Sequence, residues 1–350
     1  MTTAPAHSTA PGITPPLLVV KDLAKHYPVK EGVLLPREVG KVRAVDGVSF
    51  SIRQGETLGL VGESGCGKST VAKLLLRLIE PTAGSIELDG VNLAALAPSD
   101  LRAARRSMQI VFQDPHASLN PRMRAEDIVL EPLYIQGARR GPAMQNRAAE
   151  LLESVGLSPA QAKLYPHEFS GGQRQRLGIA RAIAPQPRFI VCDEAVSALD
   201  VSVQAQTINL LQDLQRDLRL SYLFISHDLS VVKHISDRVA VMSLGKIVEI
   251  AEKRALYRAP LHPYSRALIA SIPVAHPRLR RVRVRIPGDI PSAFAPPAGC
   301  SFHPRCPHAE HRCTMQEPPL RVLDAGRTVA CHFAERFVHA PIAAQIQGDP

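Results

Sequence analysis

The run Gly62-Glu63-Ser64-Gly65-Cys66-Gly67-Lys68-Ser69 constrains this chain more than any other, because it fits G-x-x-x-x-G-K-[ST] without a mismatch. It follows the apolar run Thr57–Val61 and precedes Thr70–Ile79, which reads as a helix stopped at Pro81. A strand, a glycine-rich loop and a helix in that order are what a phosphate-binding loop requires. The glycines let successive backbone N–H groups turn inward on phosphates, and the helix directs its positive N-terminus at them. Lys68 is expected to reach the β- and γ-phosphates, and the Ser69 hydroxyl to help hold Mg²⁺. A glycine-rich turn that fitted by accident would lack the flanking strand and helix. The chain is expected to bind a nucleotide.

With 350 residues there is room for one large domain and a smaller one. No stretch of about 18 apolar residues occurs, so no membrane span is expected. Residues 1–16, rich in Ala, Thr and Pro, lack the basic start and apolar core of a signal peptide. They are expected to form a disordered tail on a chain that stays in the cytosol. The net charge of +10 raises the question of nucleic acid. Positions 251–350 carry 14 basic against 7 acidic residues, with Arg278, Arg280, Arg281, Arg283 and Arg285 crowded together. Arg281–Ile286 alternates like an exposed strand, and few aromatics are available to stack on bases. A solvated face, or one meeting acidic lipid or a partner, is expected there, and no nucleic acid.

The first β-rich stretch, Leu17 to Ser51, is expected to be interrupted by a basic loop at about Pro28 to Lys41. From about Pro98 to Ser170 the pattern turns helical, with breaks expected at Pro115, Pro121 and Pro132. Phe189–Asp193 and Tyr222–Ser226 are short bounded apolar runs, as buried parallel strands are. Gln204–Leu220 is the expected helix between them, making a βαβ unit. Prolines become frequent after about Ile250, which marks a boundary. The expected division is therefore a tail at 1–16, a main domain at 17–250 with a helical part at 98–170, and an extension at 251–350.

Phe189-Ile190-Val191-Cys192-Asp193-Glu194 is an apolar strand ending in two acids. Behind a phosphate loop, Asp193 belongs beside Mg²⁺ and Glu194 is placed to polarise an attacking water. Ser170-Gly171-Gly172-Gln173 opens a further helix, and its free N–H groups and hydroxyl would make a second anion site. On its own that start would be no more than a helix cap.

Taken in order, these motifs resemble the ATPase subunit of an ABC transporter, over roughly Leu17 to Val248. The Walker A loop is Gly62–Thr70 and the signature is Ser170–Gln173. Walker B runs through Glu194, the D-loop is Ser197-Ala198-Leu199-Asp200, and His227 is the switch histidine. Gln113 and His227 each follow an apolar run, Ile110–Phe112 and Leu223–Ile225, which places both at strand ends facing the γ-phosphate. Tyr27 matches the aromatic that stacks on adenine. The implied fold is α/β: a P-loop NTPase of ABC ATPase type, with a RecA-like core, an antiparallel β subdomain and a helical subdomain. In the family two cassettes close head to tail. The resemblance implies ATP and Mg²⁺ held by Lys68, Ser69, Gln113, Asp193, Glu194 and His227 of one chain. Ser170 and Gly172 of a second ATPase subunit, a copy or a sibling, complete the site.

Three further pieces resemble the dipeptide/oligopeptide importer branch, whose relatives also import nickel or glutathione. These are Phe112–Met123, Pro260-Leu261-His262-Pro263-Tyr264-Ser265, and Pro296–Pro307 within a C-terminal extension. The resemblance implies two permease subunits, contacted by the region from Phe112 to Leu133. It also implies an extracytoplasmic solute-binding protein and a station on the cytoplasmic face of the membrane. A soluble ABC protein of ribosomes or DNA repair, and an iron–sulfur regulator with the cassette as a switch, are the competing readings.

Cys66 and Cys192 are expected to be reduced and structural. Cys300, Cys306, Cys313 and Cys331 supply four soft ligands, suited to Zn²⁺ or an iron–sulfur cluster. Their spacing matches neither a zinc ribbon nor a ferredoxin, so cluster, zinc and plain packing all stay open. Members of the resembled branch with this extension can hold a 4Fe-4S cluster, and a structural role is what that would imply here. His303, His308, His311 and His332 are alternate ligands or surface residues.

Overall fold

The computed structural model describes residues 15–32, 37–272, 286, 288–289, 291–324 and 326–340. The expected tail up to residue 14 and the Arg281–Arg285 alternation lie outside them. The first strands are β1 (Pro16–Glu31), β2 (Arg37–Arg53), β3 (Thr57–Val61), β4 (Ala83–Leu88), β5 (Val91–Asn92) and β6 (Met108–Val111). They are followed by β7 (Phe189–Asp193), β8 (Ser221–Ile225), β9 (Arg238–Ser243), β10 (Lys246–Glu252), β11 (Arg321–Asp324) and β12 (Arg327–Val329). An antiparallel sheet has the order β2-β1-β4-β5, and a larger mixed sheet the order β11-β12-β10-β9-β3-β8-β7-β6.

The helices are α1 (Lys68–Leu75), α2 (Pro98–Ala104), α3 (Pro115–Ser118), α4 (Ala125–Ile135), α5 (Pro142–Ser154) and α6 (Gly171–Ile183). After them come α7 (Val201–Leu218), α8 (Leu229–Ile235), α9 (Lys253–Arg258), α10 (Pro263–Ala270) and α11 (His311–Met315). The parallel strands β3, β8, β7 and β6 are mostly apolar because helices and the second sheet cover both faces. Alternate residues divide between two cores. Ile190, Cys192, Tyr222 and Phe224 pack with α6, α7 and α8, while Phe189, Val191, Leu223 and Ile225 pack with α1 and the antiparallel sheet. The carboxyl ends of all four strands consequently open on one edge, where α/β sheets bind ligands.

Three local expectations are corrected. The strands do not stop at Pro28: β1 runs on to Glu31 and β2 begins at Arg37, with Tyr27 opposite Val42 and Pro28 opposite Lys41. The charged side chains there sit on an exposed ladder, which a two-stranded ribbon tolerates on its solvated side. Helix α1 ends at Leu75, before Pro81 is reached. Arg77 takes a left-handed backbone (φ 46), and the N–H groups of Leu78 and Arg77 bond back to Lys73 and Leu74, which closes the helix. Pro132 does not break α4 but lies inside it, at the cost of the one helical donor that the Ile128 carbonyl would have received.

The C-terminal segment is joined to the central sheet. Strand β12 pairs with β10 through Glu249–Val329 and Ile250–Thr328, so the hairpin β11–β12 extends the sheet past its former edge. Tyr264 and Phe302 belong to the same core cluster as Phe224 and Val241. No helix among the described residues is long and apolar enough to cross a membrane.

Candidate nucleotide site

The loop between β3 and α1 is shaped by close backbone approach. A Cβ on Gly62 would lie 2.1 Å from the Met242 carbonyl oxygen, and one on Gly67 would lie 2.1 Å from that of Ala44. Gly67 also has a φ of 108, which only glycine adopts without strain. Lys68 is 6% exposed, and its ammonium donates to the carbonyls of Gly62 and Glu63 at 2.8 and 2.9 Å. Cys66 is buried, with its thiol pushed upward by that burial, and serves the loop through its backbone. Its carbonyl accepts the Gly245 N–H at 2.9 Å. Ser64, Gly65 and Ser69 are exposed and Thr70 half-buried.

Ser69 Oγ donates to Asp193 Oδ1 at 3.0 Å, which joins the loop to the end of β7. Burial raises the Asp193 carboxyl, the Ser69 hydrogen bond lowers it, and the neighbouring Glu194 raises it further. A half-desolvated carboxylate beside a hydroxyl is an oxygen donor set that suits Mg²⁺. Glu194 follows with a left-handed backbone (φ 51) that turns it out of the strand, held by its N–H on the Ile225 carbonyl. Its carboxylate accepts from Gln113 Nε2 at 2.9 Å and lies 3.5 Å from His227 Nδ1. Ends of β3, β6, β7 and β8 thus bring Lys68, Ser69, Gln113, Asp193, Glu194 and His227 together.

The structure does not bring Ser170–Gln173 into this group. Ser170 Oγ accepts from the Gln173 N–H at 3.3 Å, and Gln173 Oε1 accepts from the Ser170 N–H at 2.9 Å. The expected outward hydroxyl is therefore engaged in a capping box, because the first turn of α6 needs acceptors. Gly171 and Gly172 occupy the first positions of that helix, and a Cβ on Gly172 would meet Val203 at 2.4 Å. Asp200 caps α7 in the same way, through Val203 N. Tyr27 is 39% exposed on the β1–β2 ribbon, with Lys25 Nζ 5.1 Å from its ring centre.

Residues 45–197 match the family model described as ABC transporter, and residues 248–313 that described as oligopeptide/dipeptide transporter, C-terminal region. A probable peptide ABC transporter ATP-binding protein, y4tS of Sinorhizobium fredii, is 54% identical across 94% of this chain and 91% of its own. The chain belongs to the ATP-binding subunits of ABC transporters, in the oligopeptide/dipeptide branch. This ATPase is also similar to the oligopeptide transport ATP-binding protein AppF of Bacillus subtilis, 51% identical over 91% of this chain and 97% of that one. The di/tripeptide transport ATP-binding protein DppF of Pseudomonas aeruginosa is 47% identical over 92% and 99%. Among solved structures, the ATP-binding cassette MJ0796, dimeric and bound to ADP and Pi, has a TM-score of 0.60 and 29% identity. It covers 68% of this chain and 99% of its own. The expected fold is the observed one.

In this ATPase the extension reaches the phosphate loop directly. The Tyr264 hydroxyl accepts the Glu63 N–H at 2.9 Å, and Arg305 grips the Glu63 carboxylate with two hydrogen bonds of 2.7 and 2.8 Å. Sequence reasoning used Tyr264 and Arg305 only as marks of the branch. The one signal in the sequence was the acid at the second position of the loop, which a basic side chain could offset without the sequence saying which one.

Cys300, Cys306, Cys313 and Cys331 line one small cavity. Burial pushes the Cys300 thiol up to about 11, that of Cys331 up to about 12, and raises Cys306 as well. His303 and His332 are engaged with the backbone carbonyls of Cys300 and Gln316. No group of three or more His, Cys, Asp or Glu side chains among the described residues is close-set enough to hold a metal ion.

Proposed function

We propose that this ATPase powers the uptake of short peptides through a membrane permease. The observation that carries the reading is one continuous fold bearing both the hydrolytic cluster around Glu194 and the extension matched by the oligopeptide/dipeptide model. The relatives named above for peptide transport support the cargo class. Lys68 and the N–H groups of residues 64–70 hold the phosphates; Ser69, Asp193 and Gln113 would hold Mg²⁺, which when bound would supply charge neutralisation at the phosphates. Glu194 takes a proton from the attacking water, whose oxygen bonds to the γ-phosphorus as the bond to the ADP oxygen breaks. Gln113 and His227 orient that carboxylate, and Tyr27 faces the adenine.

The site is completed by Ser170–Gln173 of a second cassette; dimeric MJ0796 supports this. Two permease subunits meet the segment from Phe112 to Leu133, where Phe112 is 39% exposed. An extracytoplasmic binding protein delivers cargo to that permease, with the ATPase on the cytoplasmic face. Uptake of a labelled tripeptide into vesicles holding the whole transporter tests the reading. ATP-dependent uptake should vanish in Glu194→Gln, and nickel or glutathione moving in place of peptide would overturn the cargo.

For the four cysteines we propose an iron–sulfur cluster in preference to zinc. A single tetrahedral ion needs its ligands within a few ångströms of one point, at about 2.3 Å from the metal. The four thiols that line one cavity are the donor set a 4Fe-4S cluster takes, and the resemblance of the extension to branch members that can hold such a cluster favours it over zinc. When bound, the cluster cross-links the extension. Protein purified without oxygen should absorb broadly in the visible and lose that band on Cys306→Ser. A colourless, zinc-containing protein would refute the assignment.

A further inference from the structure

Glu63 is an acid where the chemistry of the loop asks for none. It stands second in a segment built to hold a polyphosphate, and its own carbonyl lies 2.9 Å from Lys68 Nζ. A free carboxylate there would repel the ligand, since like charges several ångströms apart at a protein surface cost about a tenfold loss of affinity. The structure supplies the remedy from far away in the chain. Arg305, 242 positions later, meets both carboxylate oxygens in a bidentate pair. Arg305 is only 6% exposed, and its guanidinium stacks near Phe302, 5.9 Å from the ring centre. Phe302 packs in turn on Tyr264, centroids 5.3 Å apart, and Tyr264 accepts the Glu63 N–H.

Every handle of Glu63 is thereby taken. The side chain is held by Arg305, the N–H by Tyr264, and the carbonyl by Lys68 and the Cys66 N–H. We infer that Arg305 is a positioning residue for nucleotide binding: together with Tyr264 it neutralises and fixes Glu63, so that the phosphate loop holds a polyphosphate more tightly with the extension docked. The inference rests on Gly62–Ser69 being the nucleotide site.

The test measures ATP affinity and the KM and kcat for ATP in the full chain within its transporter. Arg305→Gln should raise both Kd and KM about tenfold, with kcat at saturation within twofold of the parent. Removing the uncompensated charge should repair it, so Glu63→Gln/Arg305→Gln should return to within about threefold of the parent. A residue that merely glues the extension would predict the reverse, with the double variant no better than the single. Tyr264→Phe keeps the packing on Phe302 and removes only the acceptor; it should raise KM about threefold, and it keeps the test open if Arg305→Gln fails to fold. Lys68→Ala separates the two layers. If it abolishes ATP binding while Arg305→Gln and Tyr264→Phe leave Kd unchanged, the inference is wrong and the site stands. If Lys68→Ala also binds ATP normally, the site assignment itself has failed.

Discussion

The turn that carries Tyr264 is held by a buried pair whose opposite titrations can be separated. Glu249, in the middle of β10, is 0% exposed, and its carboxylate accepts the N–H groups of Leu261 and His262 at 2.8 and 2.9 Å. Burial still pushes its carboxyl up to about 7 from an ordinary 4.5. Burial drives His262 the other way, to about 3 from 6.5. Between pH 4.5 and 7 the folded chain keeps a proton on Glu249 that the unfolded chain has lost, so this group's contribution to stability falls as pH rises. Between pH 3 and 6.5 the unfolded chain carries a proton on His262 that the folded chain lacks, so that contribution rises with pH. Each slope is about 1.4 kcal/mol per pH unit, and where the windows overlap the two cancel. Glu249→Gln removes one slope. Its stability relative to the parent should climb by about 3 kcal/mol from pH 4.5 to 7, on top of a pH-independent loss of about 1–3 kcal/mol for the N–H left facing an amide. His262→Gln should show the opposite trend below pH 6.5. Urea unfolding of parent and variants at half-unit pH steps reads this directly, because groups common to both cancel in the difference. Parallel curves for Glu249→Gln and the parent would sink the argument.

Glu194→Gln should cut ATP turnover by about 10²–10⁴-fold while ATP still binds, measured by steady-state hydrolysis beside equilibrium binding; turnover above a tenth of the parent's would remove Glu194 from the role of base. Gly67→Ala should abolish nucleotide binding and lower the melting temperature, since its Cβ would strike the Ala44 carbonyl at 2.1 Å; parental ATP affinity would show that the loop and β2 can part to admit a methyl group. Ser170→Ala should cost about 1 kcal/mol through the lost cap, yet reduce hydrolysis far more than that loss of folded protein explains. If turnover fell only in step with stability, Ser170 would be a helix cap and nothing else.

What the residues disclosed in advance follows the range of the interactions involved. Strands β3 and β7 begin and end at the predicted residues because both are buried on two faces and bounded by turn formers, a local pattern. The acids after β7 and the lysine after the loop stand in sequence beside the strands that deliver them. Glu249 was invisible, since an acid within Lys246–Glu252, a strand that also ends on Glu252, looks like the solvated side of an edge strand. Its burial depends on β12 covering that edge and on amide donors 12 and 13 residues downstream. The Glu63–Arg305 pair spans 242 positions, and no periodicity reports a contact of that range. The four cysteines showed their number but not that they share a cavity, because irregular loops converge them.

The loop's polarity shows why these distant supports matter to its chemistry. Its carbonyls are largely spoken for: those of Gly62 and Glu63 by Lys68, that of Cys66 by Gly245, and that of Gly67 by Val71. Among the described residues, the N–H groups of Ser64, Gly65 and Gly67 have no such partner, and Ser64 and Gly65 are exposed. A ligand entering the loop therefore meets donors and few acceptors, which selects an anion before any lysine charge is counted. Preorganised donors are worth most when they do not reorganise on binding. Glycines alone would leave this loop free to collapse into other turns, so its geometry has to be imposed from outside. The β9–β10 turn imposes it at Cys66, the β2 backbone at Gly67, and the extension at Glu63. On this account the extension is part of the phosphate site, and the hairpin that joins it to the central sheet serves the loop as much as the sheet edge.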